Sequence, residues 1–255
     1  MSALVAIDIG NTRITVGWWE NGAWQHEWHL SSKARRTDDE WMILLDATLR
    51  RADYRNKKIE HVAISSVVPA LTKSLEKASQ EVGFSPVVID VNHLKSIHIA
   101  YDPPAAVGPD RLCGVAAAVH KYGTPIIVVD LGTATVIDVV DKERVYRGGI
   151  IAPGVATASE SLNQNAALLP KVELEFPAKI VGENTIHAIQ SGILFGSLAM
   201  IDGLIERIYQ ETGPATVVAT GGFAALLEGR STTISHVEPR LVLDGVRLLA
   251  QGEWS

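Results

Sequence analysis

The chain has 255 residues, of which 47% are hydrophobic and 20% are charged, and its net charge at pH 7 is −6. This length can hold two modest domains that each bury a core. The acidic balance and the lack of a basic stripe argue against a nucleic-acid partner. The single cysteine, Cys113, excludes an internal disulfide, and the first residues lack a basic segment followed by a long apolar one. We therefore expect a cytoplasmic protein with no membrane partner.

The first half of the chain predicts a three-stranded meander followed by alternating strands and helices. Apolar and β-branched runs predict strands at 3–9, 14–19 and 23–30. Asn21-Gly22 is typical of the tight turn between the last two, and Thr37 with Glu40 forms a capping box that begins a helix. That helix extends to about residue 51. The next predicted elements are a strand at 61–68, a helix at 69–82, a strand at 86–91 and a helix from 109 to 120.

The second half repeats this order, which predicts an α/β protein with two related domains. The predicted elements are strands at 126–131, 135–140 and 145–151, a long helix at 184–210, a strand at 216–220 and a further helix. We place the join near residues 115–124 and divide the chain into domains 1–118 and 119–255.

A short phrase occurs twice, each time at the end of an apolar strand. Asp8-Ile9-Gly10-Asn11-Thr12 follows the run 4–7, and Asp130-Leu131-Gly132-Thr133-Ala134 follows the run 126–129. A carboxylate at the mouth of a strand can hold a cation directly or through water, and a glycine lets backbone N–H groups approach phosphate oxygens. Two copies at matching positions favour phosphate loops over two ordinary strand ends.

Each copy is followed by more strand-like sequence, at 14–18 and 135–139, so we predict that each loop closes a β-hairpin. The chain contains no G-x-x-x-x-G-K-[ST] motif and no G-x-G-x-x-G motif. The predicted loops therefore differ from a P-loop, in which the glycines begin a helix.

Gly108-Pro109-Asp110-Arg111 is the strongest candidate for an acceptor site. Proline suits the first turn of a helix, which puts Asp110 and Arg111 at its N-terminus. A carboxylate can accept the proton of an attacking hydroxyl, while a guanidinium binds a carboxylate or phosphate through two points. Arg111 therefore indicates an anionic acceptor, although Asp110 could also serve only to stabilise the helix end.

Together these motifs resemble those of type III pantothenate kinase, a bacterial family of coenzyme A biosynthesis in the superfamily that includes acetate kinase, sugar kinases and actin. The matching stretches occur in the expected order at residues 8–12, 101, 108–111, 130–134, 148–154, 184–185 and 220–222. The resemblance implies an α/β fold with two duplicated ribonuclease-H-like (actin-like ATPase) domains. In each domain, a mixed sheet opens with a three-strand antiparallel meander and is flanked by helices.

The resemblance also implies a role for each matching residue. It makes Asp110 the general base that deprotonates the primary hydroxyl of pantothenate for attack on the γ-phosphate of ATP. The implied substrate contacts are Tyr101, Gly108, Pro109, Asp110, Arg111 and Thr185, the last reaching the site of a neighbouring subunit. The implied nucleotide contacts are Asp8, Ile9, Gly10, Asn11, Thr12, Arg13, Ile14, Thr15 and Thr133.

The cofactors and partners follow from the same resemblance. ATP is the implied phosphate donor and pantothenate the acceptor, and a homodimer is implied because Thr185 completes a neighbour's site. Asp130 matches the position that binds an activating monovalent cation, K⁺ or NH₄⁺. Because Mg²⁺ gives up its water reluctantly, we expect Asp8 to hold it through water.

Two alternatives stay open from the residues alone. Another small-molecule kinase of the same superfamily would share both phosphate loops, although a neutral sugar would leave Arg111 without an anion to bind. A non-catalytic accessory factor for transcription would share the fold. The presence of Asp8, Asp110 and Asp130 in one chain favours catalysis over that second alternative.

Overall fold

Two mixed sheets with flanking helices make up the fold, in a computed structural model that describes residues 2–166 and 168–252. Met1, Ala167 and residues 253–255 lie outside the described part. The strands are β1 (Ser2–Ile9), β2 (Arg13–Glu20), β3 (Ala23–Ser31), β4 (Lys58–Ser66), β5 (Pro86–Val88), β6 (His98–Ile99), β7 (Ile126–Leu131), β8 (Ala134–Val140), β9 (Val145–Pro153), β10 (Thr216–Thr220) and β11 (His236–Val237). The helices are α1 (Asp38–Arg50), α2 (Pro69–Glu81), α3 (Pro109–Tyr122), α4 (Val155–Asn165), α5 (Thr185–Thr212), α6 (Ala224–Leu227) and α7 (Leu241–Gln251).

The first compact unit runs to Lys121 and resumes at Leu241. Its sheet has the strand order β3–β2–β1–β4–β5. The pairs β1–β2 and β2–β3 are antiparallel, which confirms the predicted meander, and Asn21 and Gly22 both have positive φ in the turn between β2 and β3. The pairs β1–β4 and β4–β5 are parallel, so the carboxyl ends of β1 and β4 lie at the same edge of the sheet.

The core of this unit forms between the sheet and α1 and α2. Trp18 on β2 and Trp41 on α1 are among its largest fully buried side chains. The predicted capping box begins α1, since the backbone N–H of Glu40 donates to the Thr37 hydroxyl and the Thr37 N–H donates to the Glu40 carboxylate. Such a cap stabilises a helix by about 1 kcal/mol.

The C-terminal helix α7 belongs to the first unit. Its backbone packs directly on α3, because a Cβ built at Gly245 would lie 1.9 Å from the carbonyl oxygen of Cys113. Leu241, Val246 and Leu248 are buried on the same helix. The first unit therefore combines the residues up to Lys121 with those from Leu241 onward, and the second unit begins at Tyr122 and ends at Arg240.

The second unit, Tyr122–Arg240, contains five strands in the order β9–β8–β7–β10–β11. The pairs β7–β8 and β8–β9 are antiparallel, and β10 pairs in parallel with both β7 and β11. The arrangement matches that of the first unit. In both sheets a three-stranded antiparallel meander comes first in the chain, and the later strands pair in parallel beside its first strand.

Helix α5 is long and apolar enough to cross a membrane when judged by length and composition alone. In the structure its apolar residues pack in the hydrophobic core of the second unit. Ile193 and Leu194 pack in one cluster beside α4, and Ile201 and Ile205 pack in another against the sheet. The helix therefore supplies much of the core of this unit.

Helix α4 was not predicted, because its sequence is rich in serine, threonine and asparagine and only Val155 on it is buried. The predicted strand at 86–91 ends at Val88, since Asp90 caps a 3₁₀ turn by accepting the backbone N–H of Asn92 at 2.9 Å. The predicted elements at 69–82, 126–131, 184–210 and 216–220 are confirmed to within two residues at either end.

Candidate functional site

The first loop closes the hairpin between β1 and β2, as predicted. Ile9 pairs with Ile14, and the N–H of Gly10 donates to the carbonyl oxygen of Arg13 at 3.0 Å. Asn11, Thr12 and Arg13 form the exposed tip. The side chains of Ile9 and Ile14 are buried in the core, so these two residues can offer a ligand only backbone groups.

Asp8, the last residue but one of β1, is half-buried at the base of this loop. Its Oδ1 accepts a hydrogen bond of 2.9 Å from the hydroxyl of Ser65, which lies beside it on β4. A charge-assisted hydrogen bond of this kind holds a carboxylate in one orientation.

The predicted acceptor residues lie at the start of α3, where Pro109 is the first helical residue. The Oδ1 of Asp110 accepts the backbone N–H of Arg111 at 2.8 Å. A Cβ at Gly108 would lie 2.6 Å from that same oxygen, so the glycine makes room for the carboxylate. The Arg111 guanidinium lies over the Tyr101 ring, 5.8 Å from its centroid, which brings these two predicted substrate contacts together.

Cys113 lies one turn after Asp110 on α3 and is fully buried, as expected for a core residue. Burial raises the pKa of its thiol well above the usual range, and the negative charges of Asp8 and Asp110 raise it further. The end of β4 contacts both regions, since Ser65 donates to Asp8 and the Cγ1 atom of Val67 lies 3.4 Å from the Cβ position of Gly108. The first unit brings the predicted cation ligand and the predicted base to the same end of its sheet.

The second loop closes the hairpin between β7 and β8 and rests on the start of α4. The N–H of Gly132 donates to the carbonyl oxygen of Ala134 at 3.0 Å. The carbonyl oxygen of Thr133 accepts the Thr157 hydroxyl at 2.6 Å and the Gly154 N–H at 3.2 Å. A Cβ at Gly154 would lie 2.4 Å from the Gly132 oxygen, so only glycine permits this contact.

Asp130, half-buried at the end of β7, lies beside the turn that follows β10. Gly221 in that turn has φ of 91°, a conformation that favours glycine. A Cβ there would lie 2.4 Å from Oδ1 of Asp130 and 2.7 Å from the backbone nitrogen of Leu131. The predicted glycine turn thus contacts the second predicted cation ligand through its backbone.

Thr185 is the first residue of α5 and is exposed. Asn184 caps the helix by accepting the His187 N–H at 2.8 Å. Thr185 lines a groove of about 510 Å³ between the end of α4 and the start of α5, with Leu162, Leu169 and Ile189 among its apolar walls. Thr185 therefore lies at a surface with room for another group.

Two residues that hold these loops, Ser65 and Thr157, were not predicted from the sequence. A serine within a strand and a threonine within a helix that was not predicted belong to no sequence motif that would mark them as site residues. Ser65 becomes identifiable only when the parallel register of β1 and β4 is known, since that register pairs it with Asp8.

Comparison with known proteins decides the family. A family profile described as type III pantothenate kinase matches residues 4–207. A type III pantothenate kinase of Exiguobacterium sp. (strain ATCC BAA-1283 / AT1b) is 39% identical over 96% of this chain and 97% of its own length. One from Exiguobacterium sibiricum is 40% identical over 96% and 98%. The chain belongs to the type III pantothenate kinase family.

Solved structures share the fold of this family member at much lower identity. A Campylobacter jejuni protein described as a Baf family transcriptional activator superposes with a TM-score of 0.59 at 17% identity, covering 98% of this chain and 97% of that one. A ROK hexokinase from Thermus thermophilus gives a TM-score of 0.55 at 14% identity, covering 99% and 100%. These similarities establish a mixed α/β fold shared with sugar kinases and carry no further functional argument.

The contact between Gly221 and Asp130 predicts the effect of adding one methyl group. In Gly221→Ala the Cβ would displace the Asp130 carboxylate, and we expect affinity for ATP to fall about tenfold, measured by calorimetric titration. Gly229→Ala is the matched control, because Gly229 also has positive φ, at 69°, but has open space around its Cβ. Both variants should lose about 1 kcal/mol of stability through the positive φ. Gly221→Ala should lose more, because its Cβ also collides with the Leu131 backbone. Equal ATP affinity in the two variants would contradict a role for the Asp130 region in nucleotide binding.

Proposed function

We propose that this protein transfers the γ-phosphoryl group of ATP to the primary hydroxyl of pantothenate, forming 4′-phosphopantothenate in the first step of coenzyme A biosynthesis. The observation that carries the proposal is the contact of the end of β4 with both the Asp8 carboxylate and the start of α3, which bears Asp110. The chain's near-full-length relatives are named type III pantothenate kinase. Phosphoryl transfer needs alignment and charge neutralisation more than covalent catalysis. A cation-binding carboxylate near a proton-accepting one supplies both.

Asp110 acts as the general base in this proposal. It accepts the proton of the pantothenate hydroxyl while that oxygen attacks the γ-phosphorus and the bond from phosphorus to the bridging oxygen of ADP breaks. The hydrogen bond from the Arg111 N–H orients its carboxylate. Arg111 binds the pantothenate carboxylate, and Tyr101, Gly108 and Pro109 form the surrounding surface. Stacking of the guanidinium on Tyr101 supports this arrangement because it limits the rotation of a long side chain.

The phosphates of ATP bind to backbone and neutral side-chain donors. Residues 8–15 supply the first loop and Thr133 the second. The exposed hairpin tips support this assignment, since their backbone N–H groups are accessible to a ligand. Neither loop carries a P-loop lysine, so positive charge has to come from other groups.

Two cations are proposed to supply part of that charge. An ATP-dependent kinase works with a divalent metal, and we assign Mg²⁺ to Asp8, held through water. The donor set fits, because Mg²⁺ takes one or two carboxylates together with substrate phosphates and water. No group of three or more His, Cys, Asp or Glu side chains suited to a metal occurs among residues 2–166 and 168–252. We assign K⁺ or NH₄⁺ to Asp130. The bound cations would neutralise phosphate charge during transfer.

A homodimer is the proposed assembly. Large apolar side chains are exposed around the Thr185 groove, with Ile180 at 66%, Val181 at 75% and Ile186 at 49% of their full exposure. Such residues are usually covered by a partner. We propose that a second copy of the chain covers this surface and that its Thr185 completes the neighbour's substrate site.

The finer description of the fold is also a proposal. The equal strand orders of the two sheets support duplicated ribonuclease-H-like (actin-like ATPase) domains, divided in the sequence at 118 and 119. A cytoplasmic location fits a biosynthetic kinase that uses ATP, and we propose it for this protein.

The first test is phosphate transfer from ATP to pantothenate with Mg²⁺ present, comparing K⁺ with Na⁺ at equal ionic strength. We expect 4′-phosphopantothenate to form, and to form faster in K⁺, because K⁺ is a cation assigned to Asp130 and loses its water more readily than the smaller Na⁺. Detection by mass spectrometry identifies the product directly. Folded protein that gives no product over a wide range of ATP concentrations would refute the proposed acceptor.

Asp110→Asn tests the general base. Loss of a positioned base lowers turnover about 10²- to 10⁴-fold, and we expect kcat to fall by that amount while thermal stability changes little. Asp102→Asn is a suitable control because Asp102 is an exposed carboxylate near the same loop. Unchanged turnover in Asp110→Asn would remove this residue as the base.

Mixing two inactive variants tests the shared site. If Thr185 completes the neighbour's site, a heterodimer of Thr185→Ala and Asp110→Asn contains one site lacking both groups and one site retaining both. Activity should therefore rise after the subunits exchange, measured by the same product assay. Each variant mixed with itself serves as the control. Exchange confirmed by native mass spectrometry without recovery of activity would argue against a shared site.

A further inference from the structure

Ser65 has no role in the function proposed above, yet its surroundings link the two carboxylates of the first unit. It lies on β4 directly beside Asp8 in the parallel register. Its side chain is fully buried, and its hydroxyl donates to Oδ1 of Asp8 at 2.9 Å. A buried hydroxyl aimed at a half-exposed carboxylate restricts which way that carboxylate points.

An ionised carboxylate only accepts hydrogen bonds, so the single hydroxyl proton of Ser65 goes to Asp8. A charge-assisted hydrogen bond is stronger than one between neutral groups, so its loss should let the carboxylate rotate more readily.

The end of β4 also lies against the start of α3, the helix that carries Asp110. Two residues after Ser65, the Cγ1 atom of Val67 lies 3.4 Å from where a Cβ would be at Gly108. The backbone N–H of Val67 also donates to the carbonyl oxygen of Ile9 at 3.1 Å. The end of β4 thus contacts both the first loop and the start of α3.

We propose that Ser65 is a positioning residue that orients the Asp8 carboxylate for its cation. The inference rests on the proposed function of Asp8. It makes β4, whose end also contacts the start of α3, the strand that keeps the cation ligand in place relative to the base. Loss of a partner that orients a metal ligand typically lowers metal affinity or activity by roughly 10- to 100-fold.

The test is the dependence on Mg²⁺ in Ser65→Ala. We expect the half-activating Mg²⁺ concentration to rise about tenfold or more and kcat to fall, while the KM for pantothenate changes little. Binding of Mn²⁺ in the presence of ATP, followed by electron paramagnetic resonance, gives a readout that does not require turnover and should weaken by a similar factor. Wild-type cation affinity in Ser65→Ala would overturn the proposal.

Ser79→Ala is the matched control. Ser79 is a fully buried serine of the same unit, and its hydroxyl donates to the backbone carbonyl of Leu75 at 2.7 Å. This substitution should lower thermal stability without changing either cation readout. An equal shift in Mg²⁺ dependence in both variants would mean that the Ser65 effect is general loosening of the unit, which would also overturn the proposal.

A second substitution covers the case in which Ser65→Ala does not fold. Ser65→Cys keeps a weaker donor of similar size and should shift both cation readouts in the same direction by a smaller factor. Wild-type readouts in a folded Ser65→Cys protein would count against the positioning role.

The failure of this inference is distinguishable from failure of the proposed function. If the wild type forms no 4′-phosphopantothenate, the function fails whatever Ser65 does. If the wild type is active and Ser65→Ala has wild-type Mn²⁺ binding and Mg²⁺ dependence, only the positioning role fails.

Discussion

The parallel pairing of β1 with β4 is the constraint on which the rest of the candidate site depends. Parallel strands end at the same edge of a sheet, so the first loop after Asp8 and the segment after Ser65 emerge side by side. The antiparallel pairing of β1 with β2 turns the loop back into the sheet and fixes its tip. With β4 held beside it, the start of α3 packs against Val67 and brings Asp110 to the same edge.

In the second unit, close backbone contacts hold the candidate loop in place. The second loop rests on the start of α4 through Gly154, and Asp130 is contacted by the turn at Gly221. In both places a side chain larger than hydrogen would collide with backbone or carboxylate oxygen. Such contacts hold a loop without charged side chains, which leaves its N–H groups for anionic ligands. The positive charge that phosphoryl transfer requires then has to come from bound cations and from Arg111.

Much of the fold could be predicted from local sequence because local interactions determine it. Asn21-Gly22 specifies a tight turn, Thr37 and Glu40 begin α1, and Pro109 begins α3, each through contacts within a few residues. The repeated Asp-x-Gly phrase predicted two hairpin loops for the same reason. Helix α4 was missed because its polar sequence lacks an apolar periodicity, and its ends are set by Gly154 and by packing against α5.

By itself, the sequence determined the element order, the two hairpin loops and the chemical types of the candidate residues, because turns, caps and apolar periodicity depend on neighbours in the chain. Only the tertiary structure decided which distant residues meet. The register of β1 on β4 paired Ser65 with Asp8, and packing of Val67 at the end of β4 placed it against Gly108 at the start of α3. Packing of α7 on α3 assigned residues from 241 onward to the first unit. These contacts join residues tens of positions apart or more, so no local pattern encodes them.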